Sequence, residues 1–409
     1  MSNYFDPYSP LDFESISEDG LRIHTSDRAT FKHCRRRWNW SSPMRGNLRG
    51  RVQHYGVTWP LWFGSVCHKA LEDFYQPDQV VQLDLVAAFL THFNEASEKV
   101  KRENADYWDS YQTEFAEHKS LGEGMMAAYQ DFARVNDDFT VVAAERDFKV
   151  HIGYLVKHDN GSLQFIPTGQ SEEDDVSVLW KATLARFRHF RKVYYCGRMD
   201  AVIQDNETGR YGVMDHKTAA KMEEEYFVKL EMDTQVGSYM WAAQEYAKQE
   251  GLPWTKIDFV YYNVLRKACI SEPTVLKSGR LSLNRASEST THALFMEAIK
   301  KEGLESWFAT DEKAQGYAQW LLDEGDRRFF VRETVYRNQH ELDQIHSDIL
   351  METADMLNDP RLYKNESASW YCTRCPFRAP CLAVNDGSDY ESMLTENYTQ
   401  NMIDGSYTL

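Results

Sequence analysis

Asp200 is followed fifteen residues later by Asp215-His216-Lys217. Both groups lie on strand-like runs, GRMDAVIQ and YGVMDHKT, joined by the turn-forming Asp205-Asn206-Glu207-Thr208-Gly209. A hairpin of this kind sets two carboxylates and one lysine at the end of a sheet. Asp215 and Lys217 share a face by the strand period of two, and His216 points the other way. Two carboxylates can hold a divalent cation, and the His216 backbone carbonyl can add a third hard oxygen. Lys217 can then orient a water or meet developing negative charge. This equipment suits metal-assisted hydrolysis of a phosphodiester. The tripeptide alone is more often an ordinary exposed ion pair.

Other residues can extend the set. His68 opens a helix after Gly64-Ser65, and an imidazole is an acceptable manganese ligand. Gln235 and Tyr239 lie at i and i+4 on one helical face, within reach of a phosphate or the attacking water. Glu145 can support the lysine or a ligand. Each also has a plain reading, as a capping histidine, an amphipathic helix face or a solvent-facing acid.

Cys372, Cys375 and Cys381 form C-x2-C-x5-C. Two thiolates three residues apart chelate one metal centre, and a third can wrap around it. The fourth ligand has candidates in His33, Cys34, Cys67, Cys196 and Cys269. Cys34 is favoured because Arg35, Arg36 and Arg37 follow it and can balance anionic sulfur. A site joining Cys34 to the C-terminal trio closes a loop of over 300 residues, which in principle stabilises strongly. Zinc and iron–sulfur both remain open on spacing alone.

The 409 residues carry a net charge of −17, which weighs against a general nucleic-acid binder. Charge is local, however. Arg28, Lys32, Arg35, Arg36, Arg37, Arg45, Arg49 and Arg51 interleave with Phe31, Trp38 and Trp40. A second cluster, Arg186, Arg188, Arg191 and Lys192, precedes the Asp200 strand. Basic residues among aromatics suit phosphate contacts and base stacking, although either cluster also reads as a solvated basic face. Seven cysteines, an odd number, argue against a disulfide framework. No apolar run reaches membrane-spanning length and the acidic start MSNYFDPYSP is not a signal peptide, so a soluble cytoplasmic protein is expected.

Periodicity supplies the elements that position these groups. Helices are expected at 26–40, from Gly64, at 81–103, 107–136, 221–250, 289–302, 311–324 and 338–358. Strands are expected from Thr140, around Asp200 and Asp215, at Ile257–Leu265 and at 328–336. Residues 267–290 read as an inserted loop. The order implies an α/β fold, with a mixed central sheet flanked by helices and helical insertions. One domain is expected over 26–381. Its parts are a helical region (26–140), a sheet core (140–265), an insertion with helices (266–358) and a cysteine segment (359–381). An acidic tail (382–409) follows, packing poorly or docking on the surface.

Taken in order, these pieces resemble the PD-(D/E)XK nuclease superfamily, in its RecB-like branch with an iron–sulfur cluster. That branch includes the AddB nuclease domain and the CRISPR-associated RecB-like exonucleases. The resemblance runs through Cys34 in TFKHCRRRW, His68 in GSVCHKALE, Asp200 in GRMDAV, and Asp215 and Lys217 in MDHKT. It continues through Gln235 and Tyr239 in TQVGSYMWA to Cys372, Cys375 and Cys381. It implies a restriction-endonuclease-like core in which His68, Asp200 and Asp215 bind Mg2+ or Mn2+ and Lys217 is catalytic. Gln235 and Tyr239 would then handle DNA. The four cysteines would hold a 4Fe-4S cluster that staples the N- and C-terminal parts. The implied activity is an exonuclease on single-stranded or unwound DNA ends, in recombination, repair or phage and mobile-element DNA processing. A homo-oligomer or a recombination partner is compatible with it. A non-cleaving binding protein of the same fold and a zinc-stapled endonuclease are the alternatives. The chain departs from helicase-linked relatives in lacking a G-x-x-x-x-G-K-[ST] loop.

Overall fold

The computed structural model describes residues 11–50, 57–77, 83–168, 189–222, 227–358, 362–365 and 370–400. Its centre is a seven-stranded mixed sheet. The strands are Leu21–His24 (β1), Phe139–Lys157 (β3), Leu163–Pro167 (β4), His189–Asp205 (β5), Tyr211–Ala219 (β6), Phe259–Arg266 (β7) and Phe330–Tyr336 (β8); Leu48–Gly50 (β2) lies outside it. The order is β4-β3-β5-β6-β7-β8, with β1 added alongside β5. The mixed sheet flanked by helices is therefore as expected.

The β5–β6 hairpin follows from its turn chemistry. The Asp205 carboxylate accepts from the Thr208 N–H and hydroxyl at 2.7 and 2.6 Å, and Gly209 takes φ +69°. That backbone conformation carries no Cβ penalty at glycine. Thr234–Glu250 forms the crossover helix between parallel β6 and β7. Asp233 caps it through the Gln235 and Val236 N–H groups, and Gly251 at φ +66° ends it.

Helices Thr25–His33 (α1), Arg35–Ser41 (α2), Trp59–Phe74 (α3), Leu85–Glu103 (α4) and Gln112–Asn136 (α5) precede the sheet core. The crossover helix is α6. His292–Lys301 (α7), Glu305–Thr310 (α8) and Glu312–Glu324 (α9) form the insert, and Gln339–Leu357 (α10) follows β8. One face of the sheet packs on α6 and α10 through Phe148, Tyr195, Met240 and Ile349. The other face packs on α3 to α5 through Phe63, Phe89, Met125, Ala201 and Met214. The insert closes a small core of its own around Phe295, Tyr317 and Leu321.

Three sequence expectations need correction. The helix expected over 26–40 is broken at Cys34, whose backbone is extended (φ −162°, ψ 111°); it ends α1 and begins α2. His24 is its N-cap residue, and the Asp27 carboxylate reciprocates by accepting the His24 N–H. The sheet also begins before residue 26, because β1 pairs in parallel with Val193–Cys196 of β5. The acidic end is folded as far as Gln400. Trp370–Thr373 (α11), Arg378–Asp386 (α12) and Tyr390–Asn397 (α13) lead to Tyr398–Gln400 (β9), which pairs with β2. Leu394 and Tyr398 bury against Trp40, Leu48 and Phe377. The acids lie on the outside of this unit, so composition concealed its apolar anchors. The polar run Gly169–Asp175 (GQSEEDD), which reads as a loop in the sequence, lies outside the described residues.

Packing of α4 on α5 fixes the helices behind the sheet. A Cβ added at Gly122 would stand 1.9 Å from the Phe89 ring, which is fully buried. Gly122→Ala is expected to cost about 1–3 kcal/mol of stability, read as a lower urea midpoint, and Phe89→Leu in the same chain should recover part of it. An unchanged midpoint for Gly122→Ala would contradict this packing.

Candidate active site

The sheet forks at the residues singled out first. The β5–β6 ladder stops at the Ala201–Met214 pair, and β1 takes over beside β5 only at Cys196. Between these points Gly197 to Asp200 diverge from β6. The Asp200 carboxylate bridges the gap, accepting the His216 N–H at 2.7 Å. A side chain thus replaces a ladder bond.

The face alternation of β5 also slips here. Val193, Tyr195 and Met199 join the core beneath α6 and so does Val202, whereas Ala201 and Ile203 join the core beneath α3 to α5. Opposite Asp200 in the β3 register stands Glu145, between the pairs Ala144–Ala201 and Arg146–Met199. Glu145 has φ +41°, which a non-glycine residue rarely adopts. The slip turns Asp200 edge-on into the fork.

Asp215 and Lys217 stand on β6 across from Asp200. Lys217 Nζ contacts both Asp215 oxygens, at 2.8 and 2.7 Å. Burial disfavours the ammonium, but the Asp215 and Asp200 carboxylates outweigh it and hold the lysine pKa above its ordinary value. Burial raises the Asp215 pKa, and the Asp200 charge adds to the rise despite Lys217. Burial also opposes Asp200 ionisation, yet His68, His216 and Lys217 pull its pKa below the usual carboxylate range. His68 Nδ1 lies 3.6 Å from Asp200 Oδ2. Gln235 Nε2 donates to the Tyr239 hydroxyl at 3.1 Å. Burial, then the Asp215 charge, keeps that hydroxyl protonated. The fold therefore brings His68, Asp200, Asp215, Lys217, Gln235 and Tyr239 to one place.

His216 faces away, as expected, into a buried polar chain that sequence reading missed. Its Nδ1 lies 2.8 Å from Asn263 Nδ2, which also donates to the Tyr129 hydroxyl at 2.7 Å. Tyr129 meets the Tyr75 hydroxyl at 2.8 Å, and Tyr75 donates to Asp137 at 2.9 Å. Arg332 pairs with Asp137 at 2.8 Å. Burial pushes the His216 pKa down to about 3, so Nδ1 accepts from the Asn263 amide. In an antiparallel strand a residue's N–H and C=O point to the same neighbour. The His216 carbonyl accordingly shares the fork side with its N–H. Nothing in the sequence marks Asn263; only its register with His216 does.

Glu145 is near Asp200 rather than Lys217. Arg198 Nη1 lies 3.4 Å from its carboxylate. Burial, Asp200 and then Glu72 raise its pKa to about 7.

The oxygens at the fork fit a hard divalent cation. Two buried like charges, one raising the pKa of the other, are an arrangement that a cation relieves. Among the described residues, no three His, Cys, Asp or Glu side chains form a preassembled metal-holding group. Lys217 and the His216 N–H instead occupy the carboxylates.

The thiols divide into two sets. Cys34 and Cys381 lie close enough to Cys375 to raise its thiol pKa, after burial. Cys372 shares their turn, its carbonyl accepting the Cys375 N–H at 3.3 Å. Arg36 Nη1 stands 3.4 Å from Cys381 Sγ, and Arg37 lies over the Tyr371 ring. Arg35 pairs with Asp355 at 3.6 Å. Arg36 and Arg37 thus stand against the C-terminal segment, and Arg35 against the end of α10. Arg186 and Arg188 lie outside the described residues. Cys67 and Cys196 are buried elsewhere in the fold, and Cys269 Sγ contacts the Ser120 and Leu121 carbonyls. His33 stacks on Tyr371. None of the seven cysteines is in a disulfide. Three soft sulfurs, those of Cys34, Cys375 and Cys381, stand near one another beside Arg36 and Arg37, a donor chemistry that suits a soft metal.

No curated protein matches the chain in sequence. The family model of the PD-(D/E)XK nuclease superfamily matches residues 25–382, a span containing the fork, His68, α6 and the three C-terminal cysteines. With a forked mixed sheet carrying the Asp200 and Asp215-His216-Lys217 signature beneath that match, the chain belongs to the PD-(D/E)XK nuclease superfamily.

Proposed function

We propose that this protein is a metal-dependent deoxyribonuclease of the RecB-like branch, acting as an exonuclease on single-stranded or unwound DNA ends. The observation that carries the reading is the fork, where Asp200, Asp215, Lys217 and His68 meet. In the proposal Asp200, Asp215 and the His216 carbonyl hold Mg2+ or Mn2+, with His68 completing the set. A divalent cation there supplies Lewis-acid polarisation of the phosphate and lowers the pKa of a water.

The protein's own groups do the rest. Lys217 leaves its pairing with Asp215 and donates from Nζ to the attacking water or to a non-bridging phosphate oxygen. Gln235 and the protonated Tyr239 hydroxyl donate to the phosphate and fix its approach. Asn263 and Tyr129 hold His216, and with it the carbonyl aimed at the fork.

In the same proposal Cys34, Cys372, Cys375 and Cys381 hold a 4Fe-4S cluster. Support comes from the nearness of Cys34, Cys375 and Cys381 and from Arg36 beside Cys381. The cluster would tie α1 and α2 to the folded C-terminal unit. A single domain from β1 to that unit follows from it.

Three outcomes are expected. Lys217→Ala should lower hydrolysis of end-labelled linear DNA with Mg2+ or Mn2+ by about 10²–10³-fold and leave the circular dichroism spectrum unchanged. Full cleavage by this variant would end the assignment. Wild-type protein should degrade linear strands and spare covalently closed circles, whereas equal cutting of circles would contradict the exonuclease reading. Anaerobically purified protein should contain iron and absorb in the visible, and Cys381→Ser should lose both signals. A colourless preparation containing zinc would contradict the cluster.

A further inference from the structure

The half of the sheet beyond the fork carries an exposed strip that the site does not use. Along β5, Phe190, Lys192 and Tyr194 alternate on the face opposite Val193 and Tyr195, ahead of Arg198, which is held by Asp147. In the register Tyr194 sits between Arg22 of β1 and His151 of β3, and Lys192 faces Tyr154. The rings touch one another. His151 lies 4.8 Å from Tyr154 and 5.5 Å from Tyr194, and Tyr154 lies 5.8 Å from Phe190. Lys149 Nζ stands 4.0 Å over the Tyr194 ring.

This is an unusual composition for an open sheet face. Phe190 is 41% exposed although it is a large apolar ring. Lys149 and Lys192 are exposed and make no ion pair among the described residues. The whole chain is strongly acidic, at −17, so a strip where cations alternate with rings stands apart from its average surface. A groove of about 450 Å³ is lined by Lys149, Phe190, Lys192 and Tyr194, with Glu18 and Asp19 also in its wall. Of the helices on this side, α3 packs on β6 and α5 on β7, beyond the fork. The same strand leads directly to the site. Six residues separate Tyr194 from Asp200, about 20 Å at the rise of a strand.

We infer that this strip is a docking platform for an extended single strand of DNA, which it feeds along β5 to the Asp200–Asp215 fork. Rings on an open face offer stacking to any base, and lysines between them meet the backbone phosphates. Charge complementarity selects this occupant: the strip offers cations and π faces together, whereas an apolar protein helix would require neither lysine. The two acids in the groove wall oppose phosphate locally and favour bases over backbone at that edge. The inference rests on the nuclease reading, and it also extends it, because it assigns a path to the substrate and not only a point of cleavage.

The test uses the full chain with two surface variants, Tyr194→Ala and Lys192→Glu, and the control Tyr194→Phe. Binding is read by fluorescence anisotropy with a labelled oligothymidylate in Ca2+. Chemistry is read separately with bis(p-nitrophenyl) phosphate and Mn2+, a phosphodiester too small to reach the strip. Tyr194→Ala should weaken strand binding about tenfold or more, and Lys192→Glu should weaken it and flatten its salt dependence. Tyr194→Phe should bind as wild type, and all three should hydrolyse the small diester at the wild-type rate. Undiminished strand affinity in both surface variants would overturn the proposal. So would a wild-type chain that binds no strand, or a variant whose only change is its oligomeric state, which would assign the face to a second copy. A wild-type chain that binds the strand but leaves the small diester intact would instead count against the nuclease reading, and the binding comparison would still decide the platform.

Discussion

One hydrogen bond organises the centre of this molecule: the His216 N–H given to the Asp200 carboxylate rather than to a neighbouring strand. A forked sheet must leave backbone groups without ladder partners, and a buried N–H without an acceptor costs about 1–3 kcal/mol. Asp200 supplies the acceptor, yet it brings a charge into a buried place beside Asp215. The two carboxylates are tolerated because Lys217, His68 and the His216 N–H surround them. The arrangement that closes the fork is thus the arrangement that gathers oxygen ligands. Structure and site have one cause.

The polar chain behind His216 extends that constraint outward. Tyr75 follows α3, which carries His68; Tyr129 belongs to α5; Asn263 and Arg332 belong to β7 and β8. Each hydroxyl or amide is held by its neighbour, so the helix bearing His68 and the strand bearing His216 are set against each other through bonds rather than packing alone. Such chains rigidify a core when their members are satisfied. The helices over 81–136 have no assignment from motifs, and this gives them one: they carry the tyrosine that buttresses the site. The N- and C-terminal ends close on each other in a comparable way, with β2 against β9 and the guanidinium groups of Arg36 and Arg37 turned onto the C-terminal segment.

Much of this was legible in the sequence, for physical reasons that can be named. The β5–β6 hairpin announced itself through Asp205 and Gly209, residues whose turn chemistry is local. Long helices such as α4, α5 and α10 announced themselves by apolar period. What stayed hidden depends on partners far away in the chain. The break at Cys34 is invisible to periodicity, because Phe31 and Trp38 keep helical spacing across it. The slip at Glu145 and Asp200 needs two strands to be in register before it exists. The short β1 is only four residues long and is a strand by virtue of β5. The acidic C-terminal residues obscured Leu394 and Tyr398, which fold it. The register between Asn263 and His216 has no sequence signature at all.

The central claim is that the fork is a cation site, and the most direct measurement is Mn2+ binding to the full chain by titration calorimetry, comparing wild type with Asp200→Asn and Asp215→Asn. Asparagine keeps an oxygen for the His216 N–H at position 200, so the sheet should survive while the charge is lost. The account requires specific Mn2+ binding by the wild type, weakened about tenfold or more in each variant, with no loss of cooperative unfolding. Equal Mn2+ affinity in wild type and Asp200→Asn would contradict it.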